Sequence, residues 1–206
     1  MARVNWRPAN LLNPLPVVLV SCTDENGKSN VMTAAWTGTI CSDPVMVSVS
    51  IRKSRYTHDI IMKTKEFVLN MPNEDLALFT DYVGIYSGKK IDKLSLPGKY
   101  KVTAINSNKV KAITIDECPI ALECKVKQIL ELGSHDMFIG EVVSTSINDK
   151  YIDADNKLNM KKANLLSYCH GEYYTLGKKV GRFGYSSHKK QRNRRTDSIN
   201  RNKKNR

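Results

Sequence analysis

The plainest pattern in the chain is a two-residue alternation. Val45, Val47, Val49 and Ile51 fall on one face of a segment, and Ser48, Ser50 and Arg52 fall on the other. That period predicts a strand buried on one side. A longer stretch repeats it. Leu122, Cys124, Val126, Leu130 and Leu132 alternate with Glu123, Lys125, Lys127 and Glu131. Gly133-Ser134 then predicts a turn into a second long strand, His135–Thr145. Val17–Val20 is a short continuous apolar run of buried-strand type. Asn26-Gly27 after it is a hairpin turn signal, so the next strand is expected over Asn30–Gly38. Ser42-Asp43-Pro44 breaks the chain before Val45, and Glu66–Asn70 reads as a further strand. Short helices are expected over Arg55–Lys63 and Glu74–Val83. The second has Asn73 as its cap and Leu76, Phe79 and Val83 on one side. Many strands with few short helices predict a mainly β protein built as a closed antiparallel barrel.

Composition agrees with a folded domain and removes several classes. Of 206 residues 41% are hydrophobic, enough for a real core. No apolar window of about 18 residues exists, so no membrane span is expected. No signal-peptide pattern stands at the N-terminus. Five cysteines, an odd set without a CxxC, argue against a disulfide framework or a zinc ribbon and suggest a reduced, cytoplasmic protein.

The formal net charge of +13 invites a nucleic-acid reading until it is located. Residues 178–206 carry twelve Lys and Arg against one acid, Asp197, whereas residues 1–177 carry 21 basic and 19 acidic side chains. The charge therefore belongs to the tail. His188–Arg206 has one aliphatic residue, Ile199, and is expected to be a disordered tail. It has no aromatic residue interleaved with its bases, so base stacking is not supported, and a solubilising role is preferred to nucleic-acid binding.

Familiar catalytic signatures are missing. No GxGxxG follows a strand, no HExxH occurs, and Gly84–Lys90 has neither the spacing nor the Ser/Thr of a phosphate-binding loop. His58-Asp59 and His135-Asp136 are adjacent pairs. Neighbours on a strand face opposite ways, so neither pair makes a dyad by itself.

A set of ordered segments does carry a resemblance. Leu15–Ser21, Asn30–Gly38 with Trp36, Ser42-Asp43-Pro44, Ser50–His58, Glu66–Asn70, Ser87-Gly88 with Asp92-Lys93, Leu132–Val142, and the closing Tyr173–Gly177 and Gly181–Gly184 together resemble the flavin reductase-like family, closest to its flavoredoxin branch. The likeness covers roughly residues 9–187. It implies an antiparallel FMN-binding split barrel of Greek-key type over residues 1–187, with 188–206 outside it. It also implies a homodimer, and electron transfer through a non-covalently bound FMN. The donor would be a reduced nicotinamide or a redox protein partner, and an electron carrier without nicotinamide oxidation remains the alternative.

The residue types suit such a ligand. A phosphate dianion needs cations, hydroxyls and N–H groups. Ser48, Ser50, Arg52 and Thr57 offer them, with Lys53 and Arg55 nearby. The backbone of Thr33, Ala34, Ala35 and Trp36 would meet the polar edge of the ring, with the Trp36 side chain as a wall. Asn30 would donate to a ring oxygen or the ribityl chain. The resemblance places Lys93, His135 and Tyr168 at the flavin, Lys93 as a cation that favours the reduced ring. Met32, Ile51, Tyr56, Ser87 and Gly88 complete the expected cofactor-binding set. No catalytic side chain and no metal ligand is expected.

Overall fold

The structure is a computed structural model and describes residues 2–187; the expected basic tail, 188–206, lies outside the described residues. The chain divides into one unit spanning Met1–Leu176 and a second spanning Gly177–Arg206. In the described part of the second, two turns close through Tyr185 N–H on Arg182 and Ser187 N–H on Gly184.

The first unit contains fifteen named elements. They run β1 (Leu15–Pro16), β2 (Val18–Thr23), β3 (Ser29–Ala34), β4 (Thr37–Ser42), β5 (Val45–Arg52), α1 (Tyr56–Thr64), β6 (Glu66–Met71), α2 (Ala77–Ile85), β7 (Ala104–Ile105) and β8 (Thr114–Ile115). Then follow β9 (Ile120–Glu131), β10 (His135–Ile147), α3 (Met160–Ala163), β11 (Leu166–Cys169) and β12 (Glu172–Thr175). Seven strands form one antiparallel sheet in the order β3-β2-β6-β9-β10-β5-β4, and β1-β11-β12 form a small second sheet.

The large sheet curls until β3 and β5, five places apart in its order, touch. The barrel is split rather than closed by hydrogen bonds, and α1 fills the split by packing on β2, β3 and β5. The inward positions of the alternating strands make the core. Val47, Val49 and Ile51 of β5 meet Val18, Val20, Phe67, Leu69, Phe138, Ile60 and Ile61 there. Gly140 on β10 sits directly beneath the Phe67 ring, where a Cβ would come within 2.7 Å of it. A second apolar layer covers the outside of β2 and β3. Leu19 and Val31 pack there against Phe79 and Val83 of α2 and against Ile113 and Ile115.

Three local expectations are corrected. The strand expected over Asn30–Gly38 is two strands, because the chain leaves the ladder at Ala35-Trp36 and restarts as β4 paired with β5. The helix after Asn73 opens as a 3₁₀ turn, Glu74–Leu76, and continues as α2. Asn73 does not cap it, since its amide donates instead to Tyr151 and Asp75. Glu123 is not on a solvated face. It is 2% exposed, because the segment before β8 folds over that side of β9 and directs the Asn108 and Lys109 N–H groups at its carboxylate.

Candidate functional site

The interruption of β3 and β4 at Ala35-Trp36 opens a cavity of about 390 Å³ in the first unit. The backbone and side chains of Met32, Thr33, Ala34, Ala35 and Trp36 form one wall. Arg52 and Ser50 come from the end of β5, Arg55 from the turn into α1, and His135 from the start of β10. Asp81, Gly84 and Ile85 of α2 and Tyr168 and Tyr173 of the small sheet close the remaining sides.

Each wall has a local cause. Arg52 and His135 are cross-strand partners, so the alternation of β5 and β10 delivers them together. Trp36 is 42% exposed and lies against the His135 ring, centroids 4.6 Å apart. Gly84 lets α2 approach β3 closely, since a Cβ there would stand 3.2 Å from Thr33. The Thr33 hydroxyl donates to the Thr80 carbonyl in the same contact. Tyr168 and Tyr173 pair edge to face on β11 and β12, centroids 5.6 Å apart.

The electrostatics run from one end of the cavity to the other. Among the described residues no carboxylate pairs with Arg52 or Arg55. The α1 N-terminus beside them has no side-chain cap. Two uncompensated guanidinium groups and a positive helix end form an anion site. Burial, aided by Arg52, lowers the His135 pKa and favours its neutral form. At the other end Asp81 accepts from the Tyr173 hydroxyl at 3.4 Å. Burial first, and the Asp81 charge next, push the Tyr173 phenol up to about 12.

The other expected residues divide. Asn30, Tyr56, Thr57, Ser87, Gly88 and Lys93 form a second, much smaller recess of about 10 Å³ that shares Met32 and Arg55 with the cavity. There the Asn30 amide donates to Thr57 at 2.8 Å. Lys93 is 4% exposed and donates to the carbonyls of Val31 at 2.8 Å and Val83 at 2.7 Å. Burial, with Arg55 adding to it, brings its pKa down to about 8. Ser48 lines a neighbouring cavity of about 290 Å³ with Asn10, Leu12, Leu15, Thr37 and Gly38; Trp36 and Ser50 are shared by both cavities. Ile51 is wholly buried in the core. Lys53 turns away to Glu131 at 3.2 Å and Asp136 at 3.3 Å.

The lining residues absent from the expected set are Val17, Asp81, Gly84, Ile85 and Tyr173, together with Arg55, which was noted only as a neighbour. The Tyr173–Gly177 segment was the one available signal for Tyr173. Nothing in the spacing of α2 marked Asp81.

The model of the flavin reductase like domain matches residues 11–177. The chain belongs to that family. Among its relatives is an uncharacterised protein of Archaeoglobus fulgidus, 36% identical over 150 residues, covering 73% of this chain and 82% of that one. Among solved structures, the flavoredoxin of Desulfovibrio vulgaris (Miyazaki F) superposes with a TM-score of 0.83 at 28% identity, covering 91% of this chain and 100% of its own. A flavoredoxin from Methanosarcina acetivorans gives 0.80 at 29% identity with the same coverage. The fold is the flavin reductase-like split barrel.

No helix among the described residues is long and apolar enough to cross a membrane, and no His/Cys/Asp/Glu group among them could hold a metal. The cysteines are free; burial pushes the Cys22 and Cys124 thiols up to about 12, which makes them poor nucleophiles.

Proposed function

We propose that the 390 Å³ cavity binds FMN and that the protein passes electrons from a reduced nicotinamide or a redox protein through it to an acceptor. One observation carries this reading: a cavity within the size range of small-ligand sites that is lined both by two guanidinium groups without a carboxylate partner and by a flat aromatic and backbone wall. That lining suits a ligand with a phosphate and a planar ring. Membership of the family and the flavoredoxin likenesses support the same choice.

In this reading Arg52 and Arg55 bind the phosphate, with the N–H groups at the start of α1 behind them. The Thr33–Trp36 backbone orients the ring edge, and the Trp36 and His135 rings exclude water from its face. Neutral His135 adds no charge at pH 7, so Arg52 and Arg55 dominate the local potential. Lys93 does not line the cavity and holds α2 to β3 in the recess beside it. The bound flavin supplies the hydride and electron chemistry, and the protein supplies placement and potential. We further propose a homodimer working in the cytoplasm, with the apolar groove beside Trp36, Leu12 and Leu15 as the face a second copy covers.

The test is the absorption spectrum of the purified protein, followed by rapid mixing with NADH and NADPH. A yellow protein that bleaches on either nucleotide is the expected result. Protein that stays colourless after incubation with FMN overturns the flavin reading. Bound FMN that neither nucleotide bleaches leaves the flavin and makes the donor a redox protein.

A further inference from the structure

The residues that follow the cavity's two β5 and β10 contributors do something else. Arg52 and His135 face the cavity, and alternation sends Lys53 and Asp136 to the opposite side. The Asp136 carboxylate is 3% exposed. His58 Nε2 of α1 lies 2.8 Å from its Oδ2, and Lys53 Nζ lies 3.3 Å from its Oδ1. His58 is itself buried and stands edge-on to Phe138, centroids 5.4 Å apart. Burial alone would raise the Asp136 pKa; the His58 and Lys53 contacts outweigh it and keep the carboxyl ionised. The nearby charges are Glu131, which shares Lys53, and Asp59, which lies 3.8 Å from His58 Nδ1 and pairs with Lys89.

None of the three side chains lines the cavity. Between it and the cavity lies one tight turn. Arg55 N–H donates to the Arg52 carbonyl and His58 N–H to the Arg55 carbonyl, both at 3.0 Å. The two guanidinium groups therefore ride on the junction of β5 and α1. Among the described residues, His58 to Asp136 is the one charge-assisted bond that fastens α1 to β10.

We propose that the His58–Asp136 pair, steadied by Lys53, is a positioning device that fixes the Arg52–Arg55 turn and thereby gives the site its preference for a phosphorylated flavin. This rests on the FMN reading above. His58 is a positioning residue, since it acts only through the turn. A shift of α1 along β10 moves Arg55 and the turn that sets it against Arg52, while β5 and the Thr33–Trp36 wall stay in place.

FMN and riboflavin differ only in the phosphate, so the ratio of their affinities isolates the turn. The full chain, freed of flavin by dialysis, is titrated with each. Wild type is expected to prefer FMN. Asp136→Asn and His58→Leu are expected to weaken FMN binding about tenfold, the scale of one charge-assisted contact, and riboflavin binding by less than about twofold. His58→Gln, which keeps an N–H donor toward Asp136, is expected to restore most of the preference. If Asp136→Asn does not fold, the comparison of His58→Leu with His58→Gln carries the test alone. Parallel loss of both flavins, an unchanged ratio, or a wild type without preference overturns the positioning role. A wild type that binds neither flavin overturns the functional reading itself.

Discussion

Lys93 donates from a buried ammonium to the Val83 carbonyl at the end of α2, 2.7 Å away, and to Val31 on β3 at 2.8 Å. One side chain thus satisfies a helix C-terminal carbonyl and a carbonyl on the edge strand of the sheet, and a cation suits the negative end of the helix. Lys93→Met leaves both carbonyls without a donor and is expected to cost about 1–3 kcal/mol per orphaned group, read as a lower urea midpoint.

The same lysine gives a signed pH effect. Its folded pKa lies near 8, below the ordinary value of 10.5, because burial disfavours the charge. Between those values the unfolded chain holds the proton more tightly, so this residue's contribution to stability rises with pH across that window. The difference in unfolding free energy between wild type and Lys93→Met is expected to grow from pH 8 to 10.5 and to stay flat below pH 7.

Gly88 has no room for a side chain. A Cβ there would stand 2.0 Å from Asn30 Oδ1 and 2.8 Å from its Cγ. Gly88→Ala is expected to push Asn30 off Thr57 and destabilise the protein by about 1–3 kcal/mol. Adding Asn30→Ala removes the obstacle, so the double variant should be more stable than the two single losses predict.

Glu123 accepts from the Asn108 and Lys109 N–H groups under a covering loop. Glu123→Ala is expected to free that loop and cost about 2–3 kcal/mol through the loss of two N–H bonds to a charged carboxylate. Faster amide exchange at Asn108 and Lys109, beyond the change elsewhere in β9, is the measurement.

At the cavity, burial and then Arg52 lower the His135 pKa. The ring should titrate below its ordinary 6.5 by NMR, and Arg52→Met should move it upward without restoring the ordinary value. Because the folded pKa is depressed, the unfolded chain binds the proton first as pH falls. Stability is therefore lost as pH drops below 6.5.

Much of the fold was legible in the sequence where one face meets the core. Val45–Ile51 and the Asn26-Gly27 hairpin follow from period and turn chemistry alone. The misreadings have a common cause in tertiary cover. Glu123 belongs to a clean polar face, but that face is roofed by a distant segment, which no local period records. Trp36 sits where the chain changes partner strand, and a change of partner leaves the apolar pattern intact. The hydrogen-bonded pair His58–Asp136 is made from one half of each adjacent His-Asp dipeptide, 78 residues apart. Alternation separates His135 from Asp136 on β10, but it does not govern His58-Asp59, which lies on α1 with its side chains 3.8 Å apart, and it could not join the halves of the two dipeptides. Arg52 was readable because the alternation of β5 fixes its face, whereas His135 came with the family resemblance and Arg55, one short turn away, was noted only as a neighbour. Asp81 reaches the cavity from a helix docked on β3, and that docking depends on Thr33, Gly84 and Lys93 acting together.

The Lys93 contact has a consequence for how such molecules can join. A sheet has two edges, β3 and β4. At β3 the Val31 carbonyl is already taken and α2 lies along the strand. That edge is hindered there, which leaves β4 as the freer margin of the seven-stranded sheet. Strand addition on this sheet would then have one growing point per molecule, and joining two molecules would use up both. Growth along it ends at a pair, and the buried lysine that holds α2 to β3 is part of what stops it.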